Sequence, residues 1–171
     1  WNLSNIGADI QFGNVKIDRY ATSQEINGQS NKPVGIGTFV HEFGHVLGLA
    51  DHYNTMNAAA SNTPGAWDVM CAGSYNGDQN CPATFTAFER YSLDWLKLTE
   101  LNATTDTFVT VTPLEDKNAA FRVSIPNKNH EYFIIENRQQ KGWDKYIPGH
   151  GILVWHLDED QAVWTANTVN N

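Results

Sequence analysis

Basic residues are scarce in this sequence: 11 Lys and Arg stand against 19 Asp and Glu, a formal net charge of −8. Nucleic acid and anionic membrane surfaces are bound through a basic face, so that deficit excludes both as principal partners. No apolar run approaches the roughly 20 residues of a membrane span. Charge is not gathered into tails, and there is no internal repeat or low-complexity tract. Cysteine is limited to Cys71 and Cys81. What is present is a globular composition, 41% hydrophobic and 12% aromatic over 171 residues. That suffices for one domain with a core, or one domain with a small extension.

The two cysteines bracket residues 72–80, a stretch rich in Gly, Asn and Asp. A disulfide closing that loop is predicted, with two free buried thiols as the alternative. A disulfide implies an oxidising compartment and hence a secreted protein. Low Lys and Arg with abundant Asn, Thr and Gly agree with this, as do the glycosylation sequons at Asn2 and Asn102.

The chemistry is concentrated in residues 38–51. His41-Glu42-x-x-His45 lies in a stretch whose apolar residues Phe39, Val40, Phe43, Val46, Leu47 and Leu49 surround the histidines. On a helix, residues four apart share a face one turn apart, so the two imidazoles can aim at one point with Glu42 beside them. Two nitrogen ligands and a general base are the parts of a zinc hydrolase. Gly48 supplies the left-handed residue that ends such a helix, and the turn can return Asp51 to the same point as third ligand. Thr38 or Gly37 is the expected N-cap, and apolar residues on most sides predict a buried helix.

Elsewhere the patterning is coarser. Residues 15–20 alternate as a half-buried strand, 23–33 read as a loop, and 51–65 form a long polar segment. A second helix is expected over 86–97, opened by Thr86 and Glu89 at capping-box spacing. Strands are expected at 107–112, 120–125, 131–137 and 151–157. The fold class is therefore α+β: a helical part over residues 1–103 and an antiparallel β module over 104–171.

The motif His41-Glu42-x-x-His45-x-x-Gly48-x-x-Asp51, with Met70 downstream, resembles the metzincin clan of zinc metallopeptidases. Residues 35–45, Trp67-Asp68-Val69-Met70, Phe88-Glu89-Arg90-Tyr91 and Pro148-Gly149-His150-Gly151-Ile152-Leu153 with Trp155-His156 are similar to the immune inhibitor A (M6, thuringilysin-like) family. The resemblance implies a secreted zinc endopeptidase acting on proteins or peptides. It implies His41, His45 and Asp51 as zinc ligands, Glu42 as the base, and Met70 as the packing residue beneath the metal. Metzincins place a sheet and backing helix before the active-site helix. With 40 residues before His41, the resemblance implies an N-terminal subdomain truncated here, leaving residues 15–22 as a cleft-edge strand.

Other assignments stay open at this point. His52 and Glu89 are alternative third ligands, although Glu89 already has a capping role to fill. Tyr75 is a candidate oxyanion stabiliser, placed further from Met70 than in several metzincins. Asp158, Glu159 and Asp160 are candidate calcium ligands, or a solvated turn. A second functional class is a non-catalytic zinc-stabilised adhesion or carbohydrate-binding module presenting Trp143, Trp155 and Trp164. Glu42 argues against it, because a structural zinc site has no use for a general base.

Overall fold

The structure, a computed structural model, describes residues 10–57 and 63–170 together with the backbone of 2–4. Residues 58–62 of the polar segment lie outside the described residues. Helices and antiparallel sheets are mixed, an α+β fold. Among the described residues no helix is long and apolar enough to cross a membrane.

The predicted strand at 15–20 is divided in two. After β1 (Asn2–Ser4) and β2 (Ile10–Phe12), β3 (Val15–Ile17) folds back on β2 through Gly13 at φ +56°. β4 (Arg19–Ala21) instead pairs antiparallel with β1, and both lie along the first helix. The expected loop at 23–33 contains a small hairpin of β5 (Ile26–Asn27) and β6 (Lys32–Pro33). Its turn closes locally: the Asn27 side-chain oxygen accepts the N–H groups of Gln29 and Ser30.

Helix α1 (Gly37–Leu47) carries the two histidines. Its N-cap is Ile36, not Thr38 or Gly37. The Thr38 hydroxyl is drawn away to Gln79 Oε1 at 2.7 Å, and the Gly37 N–H donates to the Gln79 carbonyl at 2.9 Å. The helix stops as predicted at Gly48, whose φ of +112° lets its N–H return to the Gly44 and His45 carbonyls. Burial is less complete than the sequence suggests. Gly37 and Gly44 are buried, while Phe39, Phe43 and Leu47 are exposed by more than a third. The segments packed on α1 cover one side, and Phe39 and Phe43 stack on each other along the helix at 5.9 Å.

Helix α2 (Ala87–Ser92) is shorter than expected. Its start is the predicted capping box: Thr86 Oγ1 accepts the Glu89 N–H, and Glu89 Oε2 accepts the Thr86 N–H. Its end is set by Asp94 at φ +58°, with Trp95 N–H bonded to the Arg90 carbonyl and Asp94 N–H to that of Tyr91. That left-handed stop prevents continuation to residue 97.

The C-terminal sheet runs in the order β10 (Gly151–Asp158), β9 (Glu131–Arg138), β8 (Phe121–Ser124), β7 (Thr99–Glu100). The first three are antiparallel neighbours, and β7 joins β8 in parallel. Strict alternation on β9 buries Tyr132, Ile134, Glu136 and Arg138. Tyr132 and Ile134 share a core with Ala87, Phe88 and Leu96, so α2 packs on this sheet. Burying a large aliphatic side chain such as Ile134 contributes about 1.5–3 kcal/mol.

The strand expected at 107–112 does not form. That segment has the β-favouring composition but, among the described residues, no ladder neighbour, and Phe108 is fully exposed. It is held at its end, where Pro113 bridges to Asn137 and the Asn137 side chain donates to the Val111 carbonyl.

The predicted disulfide is also absent: Cys71 and Cys81 are not bonded to each other. Cys71 is buried beside α1, whereas the Cys81 thiol faces the carbonyls of Gly142 and Trp143. Backbone bonds close the intervening loop instead, among them Ala83 N–H to Gly73 O and Cys81 N–H to Asn76 O.

Candidate metal centre

The i, i+4 spacing on α1 brings His41 and His45 together, ring centroids 4.8 Å apart and nearly perpendicular. Each ring is steered by a backbone carbonyl. His41 Nδ1 bonds to Val69 O and His45 Nδ1 to Leu49 O, both at 2.9 Å. A carbonyl only accepts, so the neutral rings carry their protons on Nδ1 and leave the Nε2 lone pairs free. The Gly48 turn brings Asp51 to those lone pairs. Asp51 Oδ1 lies 3.2 Å from His41 Nε2 and 3.3 Å from His45 Nε2. It is buried and, among the described residues, has no hydrogen-bond partner. Two nitrogen lone pairs and an orphaned carboxylate oxygen converging without a proton between them fit a divalent cation.

The same convergence shifts the titration of its members. Burial alone would raise the Asp51 carboxyl, but His41 and His45 outweigh it and hold it well below the usual carboxylate range. The adjacent Asp51 carboxylate raises His45, against the opposing effect of burial. Tyr53 is pushed up to about 12, first by burial and then by the charge of Asp51.

Glu42 stands beside His41 on the wall of a cavity of about 300 Å³, shared with Thr38, Tyr53, Cys71 and Tyr75. Met70 is wholly buried under α1. A Cβ at Gly44 would sit 2.4 Å from Met70 Sδ, so the helix can approach the methionine this closely only at a glycine. Tyr53 and Cys71 were not legible as site residues. The available signal for Tyr53 was its position two residues after Asp51. The acceptors Val69 O and Leu49 O have no side-chain signature at all.

The alternative ligands go elsewhere. His52 is buried with its Nδ1 2.7 Å from Asp68 Oδ2, and it stacks among Phe88 and Trp164. Glu89 is buried in the same cluster, its carboxyl raised above the ordinary range by burial and then by the Asp68 charge. Asp158 Oδ1 lies 2.7 Å from His130 Nδ1, and Asp160 caps a third helix, α3 (Gln161–Thr165). The backbone N–H of Glu159 donates to the His130 carbonyl.

A helix-borne histidine pair, a carboxylate at their ring tips and a glutamate on the adjoining cavity wall are the parts of a metal-dependent hydrolase. The family model described as immune inhibitor A peptidase M6, catalytic domain, matches residues 11–101. The chain belongs to that family of metallopeptidases. No curated protein matches it, and no solved structure does.

Proposed function

We propose that this chain is a zinc-dependent endopeptidase that hydrolyses protein substrates outside the cell, with residues 1–103 as its catalytic part and 104–171 as the attached β module. The observation that carries the reading is the buried, unpartnered Asp51 Oδ1 facing two carbonyl-oriented imidazoles. His41 Nε2, His45 Nε2 and Asp51 would hold zinc, a set of two nitrogens and one oxygen that suits the ion and leaves a position open. Zinc there supplies Lewis acidity, making water nucleophilic near neutral pH and polarising the scissile carbonyl.

The protein groups supply the rest. Val69 O and Leu49 O fix the imidazole planes and, by accepting from Nδ1, increase the basicity of Nε2. Asp51 brings a negative charge that a third histidine would not, which tempers the Lewis acidity. Glu42 takes a proton from the attacking water and delivers it to the leaving amine. Tyr75, on the same cavity wall and largely exposed, donates its phenol to the oxyanion as the carbonyl becomes tetrahedral. Met70 acts through packing, its soft thioether filling the space against Gly44.

The adhesion reading draws less support. The Trp155 indole is turned inward to Glu136 Oε1, and Trp164 packs on His52 and Phe88, which leaves Trp143 as the half-exposed one of the three. Glu42→Gln tests the mechanism. Removing a general base lowers cleavage of a denatured protein substrate about 10²–10⁴-fold while bound zinc stays at the wild-type level. Undiminished cleavage by that variant would sink the assignment.

A further inference from the structure

Behind the Met70 turn lies a second convergence of ligand-type side chains. His52, Asp68 and Glu89 are all buried, and each offers a ligand atom within 4.8 Å of the others. We propose that these three residues form a second divalent-cation site, distinct from the His41–His45–Asp51 centre, that takes a zinc-class ion in a structural role.

Glu89 carries the argument. Its side chain is fully buried, and its Oε2 is committed to the Thr86 N–H. Its Oε1 is buried with no hydrogen-bond partner among the described residues. If Glu89 is ionised, that oxygen is an unsatisfied anion. If Glu89 is protonated, the proton falls on the same Oε1 and becomes an unsatisfied donor. Either state leaves a buried polar group unpaired, which is unfavourable because its hydration is lost without a replacement bond. A cation among the three residues satisfies it. Charge points the same way: the described ion pairs give Asp68 only His52 as a partner, and give Glu89 none.

The imidazole decides the class of ion. Calcium and magnesium take oxygen ligands, whereas a nitrogen donor with two carboxylates suits zinc. An ion has a route in, because His52, Asp68 and Thr86 line a cavity of about 720 Å³ that also reaches Trp155 and Trp164. The role follows from the neighbours. Asp68 Oδ1 accepts the Met70 N–H at 2.7 Å, and the His52 N–H donates to the Met70 carbonyl at 3.0 Å. Val69, next in the chain, carries the carbonyl that orients His41. An ion held by His52, Asp68 and Glu89 pins the Met70 turn from behind and so stiffens the first centre.

The test is metal analysis of the intact protein after dialysis against trace zinc. The wild type retains about two equivalents of zinc per chain. His41→Ala, which removes a ligand of the first centre only, retains about one. Glu89→Gln and Asp68→Asn each lose the other equivalent. Wild-type protein with about one equivalent that His41→Ala abolishes overturns the proposal, as does calcium replacing zinc in the second position. So does a second equivalent that survives both Glu89→Gln and Asp68→Asn. If those two variants do not fold, the wild-type and His41→Ala stoichiometries decide the question. A failure of the peptidase reading would show as lost cleavage dependence on Glu42, a separate readout.

Discussion

Replacing Asp144 by Ala should unfold this protein far more readily than replacing an exposed partner of an equally short ion pair. Asp144 and Arg138 are both fully buried. The carboxylate accepts Arg138 Nη2 and Nε at 2.6 Å each, and it also takes the Thr84 N–H at 2.9 Å and the Thr84 hydroxyl. Removing one member of a buried pair costs about 3–5 kcal/mol, because the other charge is left without compensation. Glu136 remains 3.3 Å from Arg138 and offsets part of that. The stranded Thr84 N–H adds about 1 kcal/mol back, which leaves about 4 kcal/mol. With a urea dependence of about 2 kcal/mol per molar for a chain of this size, the unfolding midpoint falls by about 2 M. The control is Asp116→Ala. Lys141 and Asp116 meet at 2.5 Å but are about half exposed, and such pairs contribute about 0–1 kcal/mol. Equilibrium urea unfolding followed by tryptophan fluorescence reads both variants. A midpoint shift for Asp144→Ala no larger than that of Asp116→Ala would refute the argument that burial, not distance, sets the energetics here.

Reducing agent should leave the unfolding midpoint unchanged, since no disulfide joins Cys71 and Cys81. A loss of about 2–3 kcal/mol on reduction, the size expected for a closed loop of this length, would contradict the thiol geometry. Thr86→Ala removes the oxygen that caps α2 and should cost about 1–2 kcal/mol in the same urea assay. An unchanged midpoint would mean that Glu136, whose Oε2 already accepts the Ala87 N–H, suffices to cap the helix.

The histidine pair, the stop at Gly48, the return of Asp51 and the Thr86–Glu89 capping box were all legible in the sequence. Each depends on residues close together in the chain whose geometry is set by helix periodicity or by a single special dihedral. What was not legible depends on contacts made across the chain. The Val69 carbonyl that orients His41 is 28 residues away and has no side-chain signature. Residues 107–112 have the composition of a strand, but a strand needs a neighbour, and composition does not supply one. The cysteines bracket a turn-rich loop as a disulfide would, yet their side chains face different surroundings. Glu89 read as a capping residue, and it is one. Only the packing of α2 against Asp68 and His52 reveals that its second oxygen is left over.

His41, His45 and Asp51 are proposed to hold the catalytic metal together. Anomalous diffraction at the zinc edge, from crystals of the intact protein, tests it most directly. The expected peak lies about 2.0–2.2 Å from His41 Nε2, His45 Nε2 and a carboxylate oxygen of Asp51, with Glu42 beside it but outside the ligand set. No peak at that point, or a peak there whose third ligand is a residue other than Asp51, would contradict it.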